Sequence, residues 1–133
     1  MLTSSKVIIT NNSKVYEKYK EKYEIVFLED RSYIDVLEKT RDYLHLGYKL
    51  LTHPMAGSLK PNQTPYKTVV TEKKFGKADY ESITLIENSL LAAEKFLRFK
   101  QTPKWNDKIL NDFKTVDLSF IENVVKNPVF EIM

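Results

Sequence analysis

The strongest constraint on this chain is a rhythm in its first fifty residues, where short apolar runs alternate with segments of helical period. The first run, Val7-Ile8-Ile9-Thr10, is β-branched and has no polar face. Such a composition suits a strand buried on both sides. Asn11 and Asn12 end it, and Asn12 or Ser13 can cap a helix by accepting from its free amide groups. That helix, residues 13–22, repeats Val15, Tyr16 and Tyr19 on one side, with Tyr23 continuing the face. Glu24-Ile25-Val26-Phe27-Leu28 is a second strand of the same kind. Glu29-Asp30-Arg31-Ser32 closes it and offers caps for a second helix, which carries Tyr33, Val36, Leu37 and Leu44 and ends at Gly47. Tyr48-Lys49-Leu50-Leu51-Thr52 reads as the third strand. The order β-α-β-α-β predicts an α/β fold. It is expected to be a small three-layer Rossmann-like domain with a mostly parallel sheet of about four strands, right-handed crossovers and C-terminal helices.

The rhythm breaks after Thr52. Residues 53–65 have no helical period and contain Pro54, Pro61 and Pro65 with one glycine, Gly57. A strand at 66–71 reached without a crossover helix is predicted to be antiparallel or at a sheet edge. Lys73-Lys74-Phe75-Gly76-Lys77 is a turn, and Asp79 caps a helix with Ile83, Ile86, Leu90, Ala93 and Leu97 on one face. Leu85, Ala92, Phe96 and Phe99 widen that face. Thr102-Pro103 predicts a further helix start, carrying Trp105, Ile109, Leu110 and Phe113. Asp117 predicts the start of a last helix with Leu118, Ile121 and Val125, ended by Asn127-Pro128. No repeat, linker or low-complexity tract interrupts the chain. The expectation is one domain over 1–133, with a core at 1–100 and a helical extension at 101–133 packed on it.

Composition limits the function classes. Apolar residues make up 42% and charged residues 29% of 133 residues, a globular balance. No apolar run approaches the roughly 20 residues that cross a bilayer, and the N-terminal stretch lacks a signal-peptide pattern. There is no cysteine, which excludes disulfides, thiolate nucleophiles and thiolate-bound metals. A cytoplasmic location is therefore expected. The net charge of +3 is mild. Its basic residues are interleaved with acids, as in Glu17-Lys18-Tyr19-Lys20-Glu21-Lys22, the pattern of a solvated helix face rather than a nucleic-acid stripe. Neither nucleic acid nor a membrane is an expected partner, whereas an oligomer is compatible with this composition.

In open parallel α/β sheets, ligands bind beyond the carboxyl ends of the strands. Thr10-Asn11-Asn12, Glu29-Asp30 and Thr52-His53-Pro54 end there on this reading. The loop adds Gly57, Ser58 and Lys60, where close backbone approach, a hydroxyl and an ammonium suit an anion, together with Asn62, Thr64 and Tyr66. The candidate ligand-binding set is thus Thr10, Asn11, Asn12, Thr52, His53, Gly57, Ser58, Lys60, Asn62, Thr64 and Tyr66. A structural reading stands beside it: the prolines stiffen a long connection while Asn62 and Thr64 satisfy its own backbone. His53 is the candidate acid or base if the protein is an enzyme, since its ordinary pKa of about 6.5 lies near working pH. No serine or cysteine nucleophile pairs with it, so a non-catalytic role is favoured. Gly-Ser-x-Lys lacks the glycine spacing of a phosphate-binding P-loop. His45 and His53 without cysteine do not make a zinc signature, and no metal or cofactor is expected. Glu29 and Asp30, with Arg31 beside them, read as a surface charge cluster. Tyr16, Tyr19 and Tyr23 read as core.

The strings Ile8-Ile9-Thr10-Asn11-Asn12 and Leu50-Leu51-Thr52-His53-Pro54, continued by Gly57-Ser58-x-Lys60-Pro61-Asn62-x-Thr64-Pro65-Tyr66-Lys67, resemble the GrdX family. Its members are small proteins encoded with glycine, sarcosine and betaine reductase components of anaerobic amino-acid-fermenting bacteria. The resemblance covers about the first 100 residues, through Ile86-Glu87-Asn88-Ser89. It implies a cytoplasmic accessory role near that reductase system, with a reductase component or a small anionic metabolite as partner. Lacking cysteine, the chain cannot relay electrons through a dithiol.

Overall fold

The computed structural model describes residues 5–57, 59–74 and 76–130. The elements run β1 (Lys6–Thr10), α1 (Ser13–Tyr19), β2 (Glu24–Phe27), α2 (Tyr33–His45), β3 (Lys49–Leu50), β4 (Thr68–Glu72), α3 (Tyr80–Phe99) and α4 (Asp107–Lys126). Local sequence explains most of the boundaries. Asn12 caps α1 by accepting from the Lys14 amide, and Asp79 caps α3 through the Ser82 amide. Ser32 and Asp35 form a reciprocal capping box at the start of α2. Gly47 ends α2 at φ +103°, with its amide bonded to the Leu44 carbonyl and the Tyr48 amide to the Tyr43 carbonyl. This paired closure needs a left-handed residue, which glycine adopts without strain.

The sheet is mixed, which overturns the expectation of a mostly parallel, Rossmann-like arrangement. Its order is β2-β1-β4-β3. Only β1 and β2 are parallel; β4 runs antiparallel to both β1 and β3. The cause is the connection from β3 to β4. It contains no crossover helix and returns to the edge of the sheet where β3 ends, so β4 runs back. The strand predicted to be antiparallel or at an edge is antiparallel, but it occupies the centre, between β1 and β3. Apolar composition misleads here because it reports burial on two faces and not direction. Both central strands, β1 and β4, are buried at every position, while β2 and β3 are half-buried throughout.

Helices cover both faces. Ile9 and Val69, paired across β1 and β4, pack with Val36, Leu37 and Leu44 of α2 and Ile86, Leu90 and Ala93 of α3. The next pair, Ile8 and Val70, faces the other way, onto Val15 and Tyr19 of α1, Ile121 of α4, Tyr23 and Phe130. Each valine, leucine, isoleucine or phenylalanine among them, taken out of water, contributes roughly 1.5–3 kcal/mol. Two helical expectations fail. The segment after Thr102 forms one helix, α4, capped by Asn106, and Asp117 lies in its middle rather than at a start. Phe99, expected on the apolar face of α3, is 87% exposed. Among the described residues no helix is long and apolar enough to cross a membrane.

Candidate functional site

Because β4 reverses direction against both of its neighbours, β1, β2 and β3 point the same way. β1 and β2 therefore end at the sheet edge where β4 begins, and β3 runs toward that edge from the far end of β4, with Leu50 opposite Thr71. The loop from Leu51 to Lys67 leaves beside Val70 and ends at that edge, where Thr68 meets Asp117 of α4.

Asn11 fixes the loop's return. Its Nδ2 donates to the Arg31 and Pro65 carbonyls, each at 2.8 Å, and its Oδ1 accepts from the Lys67 amide at 2.8 Å. The residue is 5% exposed. Both Nδ2 protons and one Oδ1 lone pair are spent on backbone, so it positions the site and leaves little for a ligand.

Beside it lies a closed circuit of hydrogen bonds with a defined direction. The Asn12 amide donates to Thr10 Oγ1 at 3.0 Å, and the Thr10 and Thr68 hydroxyls lie 2.7 Å apart. Thr68 Oγ1 donates to Asp117 Oδ2 at 2.6 Å. A hydroxyl has one proton, so Thr10 is the donor to Thr68. Asn12 Nδ2 completes the circuit, donating to Asp117 Oδ2 at 3.0 Å and to the Lys114 carbonyl at 2.9 Å. Every donor in the circuit points toward one carboxylate.

Asp117 and Lys67 line a cavity of about 410 Å³ between the loop and α4. Ala56, Gly57, Leu59, Thr64 and Tyr66 form one side of it, Tyr33 of α2 contributes a ring, and Phe113, Val116 and Phe120 of α4 lie opposite. Among the described residues Lys67 and Asp117 are the charged members of this lining. Lys67 is 4% exposed; its ammonium donates to the Ala56 carbonyl and sits 5.7 Å and 5.9 Å from the ring centres of Tyr33 and Phe120. Burial lowers its pKa to about 8, against the opposing pull of the Asp117 charge. Burial raises the Asp117 carboxyl, with the Thr68 and Asn12 hydrogen bonds and the Lys67 charge working the other way. The hydrogen bonds from Thr68 and Asn12 to Asp117 both fall on Oδ2. Burial also raises the Tyr33 phenol, with Asp117 adding to the effect. Its hydroxyl meets Met55 Sδ at 3.7 Å.

A second cavity, of about 370 Å³, lies on the far side of Tyr66 and includes Asn11, Glu29, Asp30, Arg31 and Lys114 in its lining. Lys114 Nζ lies 5.4 Å from the Tyr66 ring centre and donates to Ser13 Oγ at 3.0 Å.

The sequence candidates do not converge as a set. Gly57, Thr64 and Tyr66 line the larger cavity, and Thr10 and Asn12 support it through the circuit. Thr52 Oγ1 accepts from the Val70 amide at 3.0 Å, stitching the loop to β4. Thr64 Oγ1 accepts from the Tyr66 amide at 3.1 Å, the local bond the structural reading expects. His53 is exposed, its Nδ1 accepts from the Met55 amide at 3.0 Å, and it lines neither cavity. Lys60 is exposed and lies over the Phe96 ring at 5.2 Å. Asn62 is half-buried and likewise lines neither cavity. Ser58 lies outside the described residues. Across the loop's base, Thr102 Oγ1 donates to the Pro61 carbonyl at 2.6 Å and Trp105 Nε1 to the Gln63 carbonyl at 2.8 Å.

Sequence reasoning missed the two charged residues. Lys67 interrupts an apolar strand pattern, and Asp117 occupies the stripe that Phe113, Phe120 and Ile121 define. A charge on an apolar stripe was the available signal.

The family model described as GrdX-like protein matches residues 7–126, from β1 through α4. No curated protein and no solved structure matches the chain.

Proposed function

This chain belongs to the GrdX-like protein family, and from that premise we propose that it is a non-catalytic accessory protein of the glycine reductase system, acting in the cytoplasm and holding a small zwitterionic metabolite between the 52–67 loop and α4. The observation that carries the proposal is the charge of the cavity wall: one ammonium, Lys67, and one carboxylate, Asp117. An anion alone would meet Lys67 and be opposed by Asp117. A cation alone would face the converse. A molecule with one carboxylate and one ammonium offsets both, and in a cavity walled by Tyr33, Phe113 and Phe120 such interactions are strengthened by the low local dielectric. The anionic metabolite expected from Lys60 and the loop amides gives way to this reading because Lys60 is outside the cavity. The substrates that give the related reductases their names are zwitterions, and reductase components are the partners through which a bound metabolite would act.

Thermal unfolding of the whole chain with glycine, trimethylglycine, acetate and methylammonium tests it. A ligand at 100 times its Kd adds about 2.7 kcal/mol, which raises the Tm by several degrees. The zwitterions are expected to do so, while acetate and methylammonium, singly or mixed, do not. Equal effects from all four would reject the reading.

A further inference from the structure

The same cavity holds an amine and a proton acceptor in surroundings that favour their uncharged forms. Lys67 is 4% exposed, with one hydrogen bond from its nitrogen, to the Ala56 carbonyl, and two aromatic rings beside it. Asp117 lines the same space as Lys67, while Thr68 and Asn12 hold its Oδ2. Among the described residues, the remaining titratable groups lining that space are the phenols of Tyr33 and Tyr66. A lysine desolvated in an apolar pocket becomes a nucleophile because more of it is the free amine. We infer that Lys67 captures a small uncharged aldehyde as an imine, with Asp117 moving the protons. This rests on the reading of the cavity as open to ligands, but it uses the pair in its other state: with Lys67 deprotonated and Asp117 protonated, both groups are neutral and an uncharged carbonyl compound is the better fit.

The step balances without an oxidant or reductant. The amine lone pair attacks the carbonyl carbon and forms the C–N bond, while Asp117 relays the proton released by nitrogen to the carbonyl oxygen, giving a carbinolamine. Asp117 in its acid form then protonates the hydroxyl. The C–O bond breaks, water leaves, the nitrogen lone pair closes the C=N bond as an iminium, and the remaining N–H proton returns to the Asp117 carboxylate to leave the imine. One amine and one aldehyde become one imine and one water. The capture is stoichiometric.

Brief exposure of the full chain to propanal and cyanoborohydride at pH 7, followed by peptide mapping, tests the inference. Cyanoborohydride fixes the imine as a secondary amine. A lysine at about 8 holds on the order of 100-fold more free amine at pH 7 than one at the ordinary value of about 10.4. Labelling of Lys67 is therefore expected to run roughly tenfold or more faster than that of the exposed Lys95 and Lys104. A smaller advantage overturns the inference. In Asp117→Asn, labelling of Lys67 should slow while that of Lys95 is unchanged; an unaltered rate in the folded variant rejects the proton role of Asp117. If that variant does not fold, the wild-type map decides alone. Stabilisation by zwitterions without selective labelling rejects the amine chemistry only, and selective labelling without stabilisation rejects the zwitterion reading only.

Discussion

Replacing Lys67 by methionine removes a buried charge while keeping most of the side chain's volume, and its effect on stability should depend on pH in a way that can be worked from the structure. In the folded protein burial lowers the ammonium to about 8; in the unfolded chain it returns to the ordinary lysine value of about 10.4. Between these values the unfolded state holds more protons, so wild-type stability gains a rising contribution as pH increases. Below pH 8 both states are protonated and the cost of burying the ammonium is felt in full. Above about 10.4 both are neutral and that cost has gone. At 1.36 kcal/mol for each tenfold change in proton affinity, the whole rise is worth about 3 kcal/mol. Other lysines and the tyrosines also titrate in this range, but they are common to both proteins and cancel in the difference. Urea unfolding of wild type and Lys67→Met at pH 7, 8, 9 and 10 measures that difference directly. The stability of the wild type relative to the variant should increase by roughly 2–3 kcal/mol across the series. Parallel curves, with a constant offset, would show that Lys67 is not desolvated and would remove the basis for its place in the site.

Asn11→Ala should cost about 2–4 kcal/mol in urea unfolding, because it leaves the Pro65 and Arg31 carbonyls and the Lys67 amide without their partner; a loss below about 1 kcal/mol would mean that water replaces the amide freely. Gly47→Ala should cost about 1–3 kcal/mol, since φ is +103° and an added Cβ would lie 3.1 Å from the Lys74 carbonyl oxygen. An unchanged urea midpoint there would show that the turn relaxes.

The caps of α1, α2 and α3 and the two-sided burial of Val7-Ile8-Ile9 were legible because they depend on neighbours in sequence. Asn12, Ser32 and Asp79 each cap a helix with an amide two or three residues away. The antiparallel direction of β4 was legible from the missing crossover helix, but its central place between β1 and β3 was not. Direction is set by whether a connection crosses the sheet, and in the 52–67 loop proline and glycine show only that no helix forms. The site was half legible for the same reason. Gly57, Thr64 and Tyr66 announce an irregular loop, and they do line the cavity. What makes that cavity chemical is Asp117, whose partners Asn12 and Thr68 lie 105 and 49 residues away. Taking Asp117 as a helix start hid its position on an apolar stripe. His53, the most conspicuous titratable residue of the loop, spends its ring nitrogen on a turn two residues long.

The circuit that ends on Asp117 also sets an order of events during synthesis and folding. Thr10, Asn12 and Thr68 are all made before the carboxylate that joins them, and the loop-side wall at Ala56, Gly57 and Lys67 precedes the α4 wall at Phe113 and Phe120. Contacts of such long range carry the largest loop-closure entropy and are assembled late. Docking of α4 is therefore the step that creates the cavity, and a ligand can act only on a chain that has completed it. Binding would slow detachment of α4 before it slowed opening of the sheet. Amide exchange along that one helix would be the first record of an occupied site.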